Sequence, residues 1–152
     1  MKSRFLIFTL FLAVMCIGSA SNAMAQSATG TGVFPLGDGG APLTITVSAQ
    51  QGGSGGVLRI GLGQNQIVAQ PVDICVQDNL AFVVAQVTHS SNAGDEGQFL
   101  QVGFFDSGND VDFLIIPFGD LSVVPNQVPA CDLFLLPTSP LPVERGGFQV
   151  KP

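Results

Sequence analysis

Apolar and polar residues alternate with a period of two through most of the chain. Leu43, Ile45, Val47 and Ala49 are interleaved with Thr44, Thr46 and Ser48, and Leu58, Ile60 and Leu62 with Arg59 and Gly61. Val72, Ile74 and Val76 alternate with Asp73 and Cys75, and Leu100, Val102 and Phe104 with Gln101 and Gly103. Successive side chains of a strand point to opposite faces, so each run predicts a strand with one buried face. Leu80 to Val87 and Val111 to Phe118 are nearly continuous apolar runs rich in Val, Ile and Phe. They predict central strands covered on both faces. Thr31 to Phe34 and Gly147 to Lys151, the latter carrying Phe148 and Val150, predict a first and a last strand.

Turn chemistry separates these runs. Gln51-Gly52-Gly53-Ser54-Gly55-Gly56 reads as a flexible hairpin loop, Gln77-Asp78-Asn79 as a tight turn, and Ser90 to Gly97 as a longer polar loop. Residues 119–146 differ. Pro125, Pro129, Pro137, Pro140 and Pro142 exclude a central strand there, so the stretch is expected to be a long connection over the outside of the domain. No segment beyond the N-terminal region has a helical period of useful length. About eight short strands with these spacings predict an all-β fold, an antiparallel β-sandwich or flattened β-barrel.

The N-terminal region changes the expected setting. Lys2 and Arg4 precede an apolar run from Phe5 to Gly18, and small and polar residues follow as far as Ala23-Met24-Ala25. This is the three-part pattern of a secretory signal peptide, and the apolar run falls short of the ~20 residues of a membrane-spanning helix. Residues 1–25 are expected to be removed, taking Cys16 with them and leaving residues 26–152 as a single β domain beginning at Gln26. An uncleaved anchor is the alternative. The expected location is extracellular, with the periplasm or the cell surface as alternatives. Residues 26–152 hold three cations, Arg59, Arg145 and Lys151, against all eleven carboxylates, a net charge of −8. Three scattered cations do not neutralise a run of phosphates, so nucleic acid and anionic lipid are excluded as partners. Two cysteines remain, Cys75 and Cys131, and an even pair in an exported protein reads as a disulfide.

Several motifs in order carry a family resemblance. They are the opening Thr31-Gly32-Val33-Phe34, the turn Asp78-Asn79-Leu80-Ala81 before a core strand, Asp106-Ser107-Gly108 followed by Asp112, and the closing Gly146-Gly147-Phe148-Gln149-Val150 after a cysteine-containing loop. In this respect the chain resembles a family of small exported bacterial β-proteins, also found as modules at the ends of longer secreted chains. Asp78 stands where that family usually has Gly, Ser107 where it has Asn, and Gly147 where it has Asn. The resemblance implies an exported all-β domain and brings no catalytic residues with it.

The most chemically suggestive stretch is Phe104 to Ile115, in which Asp106, Asn109, Asp110 and Asp112 lie close together. Calcium takes six to eight oxygens, and these four residues are candidate ligands of a weak site. The register of an EF-hand and its terminal Glu are missing, and a nonapeptide calcium repeat requires stacked copies. The same residues fit a hairpin in which Phe104 and Phe105 end one strand, Val111 to Ile116 form its partner, and Gly108 supplies a positive φ. A carboxylate pair for hydrolysis is a third reading. His89 is the sole histidine. It lies where a strand gives way to a polar loop, and no nucleophile elbow accompanies it. Gly61-Leu62-Gly63 lacks the third glycine and following helix of a dinucleotide site. The chain has no Trp or Tyr, the usual sugar-stacking platforms; among the phenylalanines, Phe105 is set apart because it faces away from Phe104.

The expectation is an exported, non-catalytic structural or binding module with an extracellular or cell-envelope partner, and no cofactor beyond a weakly held calcium ion. The alternatives are a small secreted hydrolase using Asp106, Asp110 or Asp112, and a secreted protein inhibitor or binder built on a disulfide scaffold.

Overall fold

In the computed structural model the chain is described over residues 25–35, 40–52, 55–108, 110–117 and 121–152. The expected signal segment, apart from Ala25, lies outside the described residues, as do Asn109 and Phe118. Among the described residues ten strands form: β1 (Ser27–Phe34), β2 (Leu43–Gln50), β3 (Val57–Leu62), β4 (Asn65–Gln77), β5 (Leu80–Ser90), β6 (Phe99–Phe105), β7 (Phe113–Pro117), β8 (Val123–Val124), β9 (Thr138–Pro142) and β10 (Arg145–Lys151). They make one all-antiparallel sheet in the order β10-β1-β2-β3-β4-β5-β6-β7-β9, with β8 beside β6.

This order forces the sheet to curl. β9 and β10 are neighbours in sequence, separated only by Val143 and Glu144, yet they occupy opposite ends of the sheet. The two ends therefore meet at a seam. Pro140 and Pro142 are two residues apart in β9 and have no N–H, so one edge of β9 lacks those donors. No ladder joins β9 to β10. The chain crosses the seam through its own backbone instead: Val143 N–H donates to the Asp112 carbonyl (2.9 Å) and Glu144 N–H to the Val33 carbonyl (2.8 Å).

The concave face holds the main core. Ile45, Leu58, Val83, Ala85, Leu100, Val102, Phe104 and Leu114 are all buried there. Their alternation with polar residues is the pattern the sequence predicts, and burying such side chains stabilises the fold by about 1.5–3 kcal/mol each for the larger ones. Three rings fill the seam side: Phe148 lies edge-on to Phe104 at 4.8 Å and 6.4 Å from Phe34.

The convex face of β4 to β7 carries a second, smaller core of Cys75, Phe82, Val84, Ala130 and Leu133. The cover is a 3-10 helix, Ala130–Leu135, within the Pro-rich connection. A disulfide ties Cys131 to Cys75 with Cα atoms 5.0 Å apart, and the Asp73 carboxylate accepts from the Ala130 N–H at 2.7 Å. Phe134 sits edge-on to Phe82 at 4.8 Å. The continuous apolar run of β5 is thus covered on both faces.

Three details differ from expectation. Periodicity places a strand over Val72 to Val76, whereas β4 begins at Asn65 and has register breaks at Val68/Ala69 and at Pro71/Asp73. The first break leaves Thr88 of β5 unpaired and the second leaves Val72 of β4 unpaired, and each reverses which face the following residues of its own strand occupy. Val72 sits in the second break and is exposed, while Pro71 is tolerated within β4 because the break lies beside it. Residues 119–146 contribute β8 and β9 as well as the crossing; the prolines keep β9 at the edge of the sheet without preventing it. His89 belongs to the end of β5, paired with Val68, rather than to the loop.

Candidate functional site

The acidic stretch is a hairpin connection between β6 and β7, with Phe105 opposite Phe113 and Phe104 opposite Leu114. β7 starts two residues later than the sequence suggests, because Asp112 turns its side chain to the seam. Gly108 has φ +78°, the left-handed conformation anticipated for it, and its N–H donates to Asp106 Oδ1 at 2.8 Å. The turn of β5 places the loop from behind: Asp106 N–H donates to the Asn79 carbonyl, and Asn79 Nδ2 donates to the Asp106 carbonyl at 2.7 Å.

Two of the loop's three carboxylates, Asp106 and Asp112, face the free edge of β10. Asp112 Oδ2 accepts from the Phe148 N–H at 2.6 Å, and Asp106 Oδ2 accepts from the Val150 N–H at 3.2 Å. Alternate residues of a strand point their N–H groups to the same side, so these are consecutive donors of one edge. The carboxylates take the place a neighbouring strand would occupy. Asp112 Oδ1 is held in turn by Ser107 N–H (2.9 Å) and Ser107 Oγ (3.2 Å). Gly147 permits the approach, since a Cβ there would stand 2.8 Å from Asp112 Oδ2.

Each of the four carboxylate oxygens of Asp106 and Asp112 therefore already accepts a hydrogen bond. Asp110 is exposed on the other side of the loop, where it flanks an open surface depression with Phe105, Ser107, Val111 and Phe113. The rings of Phe105 and Phe113 are 6.2 Å apart. The four candidate calcium ligands are thus divided: two face the seam, Asp110 faces solvent, and Asn109 lies outside the described residues. Among the described residues no three His, Cys, Asp or Glu side chains are gathered as a metal site. Millimolar calcium is expected to leave the melting temperature within about 1 °C, because a ligand stabilises only through preferential binding to the native state. A saturable rise that disappears in Asp110→Asn would show a calcium site.

His89 is 70% exposed, and its Nδ1 lies 3.5 Å from Glu96 Oε1. His89→Ala is expected to change stability by less than about 0.5 kcal/mol, as is usual for a surface side chain; a larger loss in urea unfolding would give the Glu96 contact a structural role. Gly61-Leu62-Gly63 ends β3 and enters the turn to β4, with Gly63 at φ +60°.

The alternation pattern did not single out one end of the curled sheet. Here Leu43, Ile60, Leu62, Ile67, Ile116 and Leu141 line a cavity of about 250 Å³, and among the described residues Asn65 is the one polar member of its wall. Asn65 and Ile67 also line a polar cleft of about 260 Å³ with Ser90, Ser91, Asn92 and Asp95. The cleft is preorganised: Ser90 Oγ donates to Asp95 Oδ2 and Asn92 Nδ2 donates to Asp95 Oδ1, both at 2.9 Å. Ser91 Oγ accepts from the Gln66 N–H at 2.9 Å. Asn65 and Ile67 fall in the first half of β4, which the register breaks hid. Leu141 comes from β9, which the prolines disguised.

Among the described residues no helix is long and apolar enough to cross a membrane. Comparison of the chain with known protein families, with characterised proteins and with solved structures gave no match.

Proposed function

We propose that the chain is an exported, non-catalytic structural or binding module acting at the cell exterior or envelope. The observation that carries this reading is the use made of the acidic loop. A carboxylate pair for hydrolysis needs an acid and a base converging on a bond in a cleft. Here Asp106 and Asp112 are engaged by backbone amides of β10, while Asp110 stands apart beside Phe105 and Phe113. Export is supported by the signal-like residues 1–25 and by the Cys75–Cys131 bond, since disulfides persist in oxidising compartments. The resemblance to exported bacterial β-domains points the same way.

The test has two parts. Secreted protein is expected to have an intact mass that begins at Gln26; material retaining residues 1–25 would overturn the export step. Purified protein is expected to show no turnover of glycoside, ester or peptide substrates. Turnover lost in Asp110→Asn at unchanged melting temperature would establish the hydrolase reading instead.

A second reading, a secreted inhibitor, is favoured by Leu135. It is 85% exposed and ends the 3-10 helix that the disulfide holds. A rigid turn presenting a large apolar side chain suits insertion into a protease pocket. Inhibition of a chymotrypsin-like protease that is lost in Leu135→Asp would support this reading, and its absence would remove it.

A further inference from the structure

We infer that the open end of the curled sheet binds an uncharged amphiphile, with its alkyl chain in the apolar cavity and a hydroxylated head in the adjoining polar cleft. This rests on the reading of the chain as a non-catalytic binding module and names the ligand class for it.

The argument begins with the two linings. The cavity wall is aliphatic from five strands, whereas the rings of Phe34, Phe104 and Phe148 fill the seam side of the same core. Space left between Leu and Ile side chains favours hydrocarbon over water, which needs two to four polar partners to occupy a cavity. An apolar cavity of about 150 Å³ takes up benzene, so one of about 250 Å³ has room for a chain of roughly eight carbons. Ligand sites of this kind, mostly apolar with a few placed polar groups, recur in the mouths of β-barrels.

The polar cleft adjoins the cavity. Ile67 and Asn65 line both, so the proposed ligand would reach Ser90, Ser91, Asn92 and Asp95 past these two side chains. The Asp95 carboxylate keeps free lone pairs beyond its two hydrogen bonds, and a carboxylate accepts only. It therefore selects a head group that donates, such as a sugar or glycerol hydroxyl. Arg59, Arg145 and Lys151 line neither the cavity nor the cleft, so a fatty-acid carboxylate would meet Asp95 with no compensating cation. A head without charge satisfies the cleft, and a hydrocarbon tail suits the cavity's aliphatic wall.

Octyl glucoside below its micellar concentration is the probe. Calorimetric titration is expected to give saturable one-to-one binding, with octanoate at least about tenfold weaker and glucose alone not measurable. Ile67→Trp, which fills the junction, is expected to weaken binding by about tenfold or more while the protein still unfolds cooperatively. Asn65→Ala, at an exposed position, is expected to weaken octyl glucoside more than octanol. No saturable binding, equal binding of octanoate, or binding unchanged in Ile67→Trp would each overturn the site. So would a dimer that Leu62→Asp converts to monomers, because a second copy would then cover the cavity. Release of glucose is followed in the same samples. Hydrolysis would overturn the non-catalytic reading while leaving the binding site standing, and binding without hydrolysis supports both.

Discussion

Asp112→Ala is expected to cost the fold about 3 kcal/mol, more than any other single change in the acidic loop. Hydrogen bonds to a charged acceptor contribute about 1.5–3 kcal/mol each. Asp112 accepts two from backbone amides, Phe148 N–H and Ser107 N–H, and its partial exposure places each near the lower end. The loss should appear as a fall of about 10–15 °C in melting temperature for a domain of this size. Asparagine is expected to restore only part of it. Ser107 and Phe148 donate to different oxygens of Asp112, and an amide side chain has one oxygen, so its NH2 must face a donor. Gly147→Ala should act in the same direction by pushing Asp112 off the edge of β10. Asp110→Asn is the control, expected to stay within about 0.5 kcal/mol. Equal losses in Asp110→Asn and Asp112→Ala would show that the carboxylates act as a charge cluster and not as amide acceptors at the seam.

That seam marks the boundary of what the sequence discloses. The hairpin itself was legible, because Phe104, Leu114 and Ile116 alternate on either side of a glycine-containing polar link. Its purpose was not, since the amide that Asp112 accepts from lies 36 residues away in β10. No local pattern distinguishes an aspartate facing solvent from one capping a distant edge. β2, β3, β5 and β6 were legible for the same local reason: each pairs in unbroken register with at least one neighbour, so the period of two persists. β4 was half hidden. The extra residue Val72 reverses its inward face once, so Ile67 and Ala69 share the core with Ile74 and Val76 without sharing a phase in sequence. β9 was hidden by Pro140 and Pro142, whose effect is to set its place in the sheet rather than to forbid it. The mouth cavity depends on both of these strands, and so it became visible only with their positions.

Replacing Cys75 and Cys131 together with alanine is expected to lower stability by about 4 kcal/mol. The bond joins residues 56 apart in sequence, and opening a loop of that length restores chain entropy to the unfolded state of about that size. The folded protein should change little, because two other ties hold the crossing in place. Asp73 still accepts from Ala130 N–H, and Leu133 and Phe134 still cover Phe82. The signature is therefore a lower urea midpoint with a steeper slope, as the unfolded chain exposes more surface once the link is cut. A loss below about 1 kcal/mol would mean that strain in the bonded state cancels the entropic gain. A full loss accompanied by exposure of Phe82 in the native state would assign the bond to docking of the 3-10 helix. Total stabilities of small domains are only about 5–15 kcal/mol, so a bond of this size would be much of the margin. A chain that relies on it so heavily is suited to an oxidising compartment, where the bond persists, and would be marginal where thiols are kept reduced.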